Sequence, residues 1–96
     1  MTFVNRMQEK LARREVALCM ATRLARTADI AMIVDSCGFD AFYVDMERCT
    51  ISLDDTAQIC VAALPIGSHR SCRIAGHQFD HAARLLDACA LGIICP

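Results

Sequence analysis

Four ionisable residues stand where apolar runs end. Phe42, Tyr43 and Val44 are followed within four residues by Asp45, Glu47 and Arg48, and Arg73 lies near the end of the later run 70–75. Such charges in mid-strand would be buried at a cost of several kcal/mol, whereas at a strand end they can face a ligand. Two readings are open: a local salt-bridge cluster, or a ligand-gripping rim. Arg48 can hold an anion or pair with Asp45 or Glu47. A guanidinium keeps its proton at working pH, so Arg48 is no general base.

Other chemistry-bearing residues point less far. His77 and His81 are four apart, a spacing that can set two imidazoles on one helix face. His77 precedes the predicted helix and no third ligand is evident, so both are expected to be solvated. His69 is placed in the turn before the third strand, as polar surface. Cys49 adjoins the charged stretch, but a nucleophilic thiol needs an activating base and none is assignable.

The elements that must position these residues follow from periodicity. Residues 3–14 have Phe3, Val4, Met7 and Leu11 on one face and charges on the other, which predicts an amphipathic helix. Residues 16–21 and 41–44 are short apolar runs, read as buried strands. Between them Thr27 is the expected cap of a helix carrying Ile30, Ile33, Val34 and Cys37, with Gly38 as its left-handed stop. Ser52 and Asp55 form a capping-box pattern opening a helix over 52–64, closed by Pro65 and Gly67. Residues 70–75 are a third strand. Residues 80–90 are a helix with Ala82, Leu85, Leu86 and Cys89 on one side, and 92–95 are a fourth strand. Strands alternating with helices imply a parallel sheet with right-handed crossovers. In such folds reactive groups gather at the carboxyl ends of the strands, where Asp45, Glu47, Arg48 and Arg73 fall.

The chain has 96 residues, room for one small domain. It is 55% hydrophobic and 22% charged, apolar enough for its size that part of its surface is expected to be covered by more chain or by a partner. The net charge is −1 and no basic run alternates with aromatics, which argues against nucleic acid. No apolar segment approaches a membrane span, and no secretory h-region opens the sequence. Seven cysteines without a CxxC pair read as reduced thiols used as small hydrophobes, so a cytoplasmic location is expected.

The segments "GFDAFYVDMERCTISLDDTAQI" and "CRIAGHQFDHAARLLDACALGIICP" resemble the HpcH/HpaI aldolases, relatives of the citrate lyase beta-subunit fold. The resemblance rests on motif order: a G-F-D lead-in to a strand, a D-x-E-x rim, an arginine ending the next strand, and an L-L-D-x-x-A-x-G-I helix-to-strand segment. It runs from about Val16 to Pro96. It implies an α/β fold, the N-terminal part (about four β/α units) of a TIM barrel with a preceding helix, in one partial domain over 1–96. It further implies a carbon–carbon lyase dependent on Mg²⁺ or Mn²⁺, acting next to a 2-oxo acid such as pyruvate with an aldehyde as partner. The metal would polarise the 2-oxo group. A Schiff-base route has no candidate, since Lys10, the lone lysine, lies in the first helix.

Carried over on the motif, Arg73 matches the family arginine that binds the 2-oxo acid and stabilises the enolate. Asp45 matches the aspartate that orients the catalytic histidine, and Glu47 the glutamate near the metal's water shell. Arg48 stands where the family has that histidine. A barrel takes about 250 residues, so the direct metal ligands are expected beyond Pro96. Four parallel strands leave open edges and apolar surface. A homo-oligomer or a complementing chain is therefore expected, and a non-catalytic, self-associating or partner-completed half-barrel is the alternative function.

Overall fold

A computed structural model describes residues 5–96. Its elements are α1 (Arg6–Ala12), β1 (Cys19–Thr22), α2 (Ile30–Ser36), β2 (Ala41–Asp45), α3 (Leu53–Ala62), a 3₁₀ turn (Leu64–Ile66), β3 (His69–Arg73), α4 (Phe79–Asp87) and β4 (Gly92–Ile94). The strands form one parallel sheet in the order β1-β2-β3-β4. This is the α/β arrangement expected of the N-terminal part of a TIM barrel.

The alternation of side chains divides the sheet into two faces. Phe42, Val44, Cys72 and Ile74 meet Val34, Ile59, Cys60 and Leu85 from the helices in one buried cluster. The other face carries Tyr43 beside Ser71, and Asp45 beside Arg73, in register. Gly92 pairs with Ser71, and a Cβ there would lie 2.9 Å from the Ser71 hydroxyl. The strands can approach so closely because residue 92 has no side chain.

Local signals act as read at α3. Ser52 accepts the backbone N–H of Asp55 at 3.0 Å, and Gly67 adopts φ 83° after the 3₁₀ turn. Gly38 likewise turns the chain at φ 83°. Cys60 is core as expected, with its sulfur 3.6 Å from that of Cys72. That contact and burial push the Cys72 thiol up.

Several local expectations are corrected. The first strand starts at Cys19 rather than 16; Val16 and Leu18 are exposed. Asp29, not Thr27, is the cap position of α2, and the Thr27 hydroxyl bonds the Asp29 carboxylate. Ile33 and Cys37 are exposed, since only Ala31 and Val34 of α2 reach the core. Leu86 is exposed too, and Cys89 is half-buried in the turn after α4 at φ 73°.

The first helix departs most. Phe3 and Val4 lie outside the described residues. Within α1 no residue is buried and Leu11 is 56% exposed. Polar groups dock this helix instead. Arg6 donates to the Phe39 carbonyl and the Ser68 hydroxyl, and pairs with Asp35. Lys10 pairs at 3.1 Å with Asp40, which also accepts the Leu18 amide. His69 is no turn residue: it opens β3, half-buried. Asn5 donates to its Nδ1 at 3.1 Å, which leaves Nε2–H to donate to Ser71 at 2.8 Å.

Candidate functional site

Asp45 is the last residue of β2 and Arg73 the last of β3, and the two are register partners. Asp45 is fully buried. Its Oδ1 accepts the backbone N–H groups of Glu47 at 3.1 Å and Arg48 at 3.0 Å. These two bonds fold the chain back over the strand end, the local turn that aspartate favours. They explain why the chain spends a carboxylate there: it builds the turn that carries Glu47 and Arg48.

Oδ2 of Asp45 makes no hydrogen bond and faces two cations. Arg73 Nη1 lies 3.6 Å away and Arg23 Nε 3.4 Å. Arg73 also donates through Nε to Glu47 at 3.2 Å. Asp45, Glu47 and Arg73 thus share one rim, with the Arg73 and Glu47 side chains about a quarter exposed. Arg48 is exposed. Among the described residues its side chain has no ion-pair or hydrogen-bond partner, and only its amide touches Asp45.

Arg23 is the residue that the sequence reading missed. With the first strand placed at 16–21 it fell in a loop. With β1 at Cys19–Thr22, Thr22 pairs with Val44, and the next position along each strand holds Arg23 and Asp45. Three neighbouring strands therefore finish in Arg23, Asp45 and Arg73, a cation–anion–cation row. Arg26, in the same loop, donates to Thr50 at 2.7 Å.

The remaining candidates do not join this row. His77 is exposed and stacks on Phe79 with centroids 5.9 Å apart. His81 lies in the first turn of α4, 4.0 Å from Asp80. His69 is at the opposite, amino end of the sheet. Cys49 is half-buried and packs against the core.

The described residues do not by themselves fit a divalent metal. No group of three His, Cys, Asp or Glu side chains converges among them, and both rim carboxylates face guanidinium groups.

No family model matches the chain. The 4-hydroxy-4-methyl-2-oxoglutarate aldolase tasA of Hapsidospora irregularis is 29% identical over 97 residues, covering 98% of this chain and 35% of that protein. Among solved structures, the HpcH/HpaI aldolase from Desulfitobacterium hafniense DCB-2 superposes with a TM-score of 0.83 at 25% identity, over 96% of this chain and 35% of that one. The citrate synthase SbnG superposes equally well, TM-score 0.83, over 95% of this chain and 37% of its own. At 19% identity that likeness concerns the fold alone. In sequence and in fold, the chain is matched to the HpcH/HpaI aldolases, and it spans about a third of the length of the relatives it matches.

Proposed function

We propose that the chain supplies the carboxylate-gripping rim of an aldolase-type carbon–carbon lyase acting on a 2-oxo acid such as pyruvate, with an aldehyde as the other partner. The observation that carries this reading is the meeting of Arg73 with Asp45 and Glu47 at the carboxyl ends of β2 and β3. Arg73 is the substrate-binding and enolate-facing group, since its planar fork matches a carboxylate through two parallel hydrogen bonds. Asp45 holds the turn and orients Arg73. Glu47 holds the Arg73 Nε side. Arg48 is a cation at the position of the family's base, so proton abstraction falls to another group. HpcH/HpaI aldolases are generally divalent-metal dependent. The carboxylates for Mg²⁺ or Mn²⁺ belong outside the residues described here, and no step is assigned to the metal.

Pyruvate titrated into the isotope-labelled chain tests the reading by NMR. Amide shifts should concentrate at residues 45–48 and 73. Arg73→Ala should abolish them, and Arg73→Lys, which loses the bidentate geometry, should weaken binding about tenfold. Shifts elsewhere, or binding indifferent to Arg73→Ala, would sink the proposal.

A second reading has its own observation. β1 and β4 are unpaired edges of the described sheet, and Leu24, Met32, Ile33, Leu91 and Ile94 are exposed near edges and helix faces. A hollow of about 340 Å³ runs along β1, and one of about 470 Å³ lies between α2 and the 3₁₀ turn. A non-catalytic module that self-associates or is completed by a partner would use such surfaces. Sedimentation at low micromolar concentration separates the readings: a module of this kind dimerises, and a monomer that binds pyruvate is not one.

A further inference from the structure

The rim holds more positive charge than the grip on a single carboxylate requires. Arg73 is balanced by Glu47 at 3.2 Å. Asp45 then offers one buried oxygen to both Arg73 and Arg23. Arg23 touches it through Nε alone; among the described residues its Nη groups have no partner, and its side chain is 58% exposed. Arg48 and Arg26 stand on the same side of the sheet, the former without a partner and the latter bonded only to the neutral Thr50 hydroxyl. Four guanidiniums thus face two carboxylates, a surplus of two charges. Other acids at this end do not offset it. Asp29 is engaged by Thr27 and Asp54 by Gln58. Asp55 and Asp80 lie in the first turns of α3 and α4, and none of the four is ion-paired with Arg23.

Resting on the reading of Arg73 above, we propose that Arg23 is a second anion-binding guanidinium of this rim and selects 2-oxo acids that carry a second carboxylate. Its geometry suits the task. The Asp45 oxygen tethers Nε, which aims the guanidinium and spares part of the entropy of ordering it, and the free Nη edge is left to a ligand. Because the same oxygen also holds Arg73 Nη1, the two guanidiniums sit within the reach of one short dicarboxylate. A ligand with one carboxylate satisfies Arg73 and leaves Arg23 solvated. A ligand with two adds a charge-assisted pair, expected to tighten binding about tenfold.

The test compares pyruvate, 2-oxoglutarate, succinate and inorganic phosphate on the intact chain and on Arg23→Gln, Arg73→Ala and Arg14→Gln, with binding followed by NMR and folding by circular dichroism. 2-Oxoglutarate should bind about tenfold tighter than pyruvate. Arg23→Gln should erase that preference and leave pyruvate affinity unchanged. Arg14→Gln, which removes the same charge from the loop after α1, should leave the preference intact. Succinate and phosphate should bind no tighter than pyruvate. Equal binding of pyruvate and 2-oxoglutarate, or a preference that survives Arg23→Gln, overturns the role of Arg23 while leaving Arg73 standing. Loss of the preference in Arg14→Gln, or phosphate matching 2-oxoglutarate, reduces it to bulk charge and overturns it as well. Failure of all four ligands overturns both proposals.

Discussion

Replacing Asp45 with Asn separates the two jobs of that carboxylate. Asp45 is fully buried. Its Oδ1 closes the turn by accepting the Glu47 and Arg48 amides, and its Oδ2 faces Arg23 and Arg73. Asparagine keeps an acceptor for the two amides but presents an NH₂ to the two guanidiniums. Breaking a wholly buried ion pair costs about 3–5 kcal/mol. Here both arginines keep water, with side chains 58% and 24% exposed, so they rehydrate and the expected loss falls to about 1–2 kcal/mol. Asp45→Ala also removes two charge-assisted bonds, each contributing about 1.5–3 kcal/mol, and should cost about 3–5 kcal/mol in all. Against a total stability of about 5–15 kcal/mol, both losses are measurable. Urea denaturation followed by circular dichroism reads them directly. With a slope of about 1 kcal/mol per M, Asn should lower the midpoint by about 1–2 M and Ala by clearly more. If the two variants lose equal stability, the turn bonds contribute nothing. If Asp45→Asn is as stable as the parent or more so, the buried charge is a net cost, and its pairing with the arginines is not what holds the rim.

Gly92→Ala would put a Cβ 2.9 Å from the Ser71 hydroxyl that His69 holds at 2.8 Å; it should cost about 1–3 kcal/mol by crowding, and the added change Ser71→Ala should restore part of that in the same denaturation assay. Leu85→Ala empties a fully buried position on α4 and should cost about 2–5 kcal/mol, read from the thermal midpoint. Burial, with Arg70 beside it, lowers the His69 pKa in the folded chain. The unfolded chain therefore binds the proton first, and stability should decline as pH falls below about 6.5; a His69→Gln variant should lack that decline. The Leu18 amide, with Lys10 near it, lowers the Asp40 pKa. Its contribution is full above the unfolded value of 3.8 and should be lost as pH falls below it, and Asp40→Asn should flatten that acid limb.

How far the sequence reached is clearest at the rim and the first helix. Asp45, Glu47 and Arg73 were legible because each closes or follows an apolar run, and a parallel sheet brings such positions together. Arg23 was not legible, because its run starts only at Cys19, and a strand displaced by a few residues moves its terminal charge out of the row. The face of α1 was misread for a related reason. Periodicity reports that a helix has an apolar side, not that anything covers it, and this helix docks through Asn5, Arg6 and Lys10. The same holds for Ile33, Leu86 and Cys37, which lie at helical spacing yet face outward.

Taken alone, the sequence determined the order of helices and strands, the parallel sheet and the end of it where charge collects, since those follow from periodicity, capping residues and chirality. Tertiary structure alone decided the register. It set Arg23 beside Asp45, turned His69 into a partner of Asn5 and Ser71, and buried Asp45 completely, because contacts between distant segments depend on three-dimensional distances that spacing along a chain does not contain.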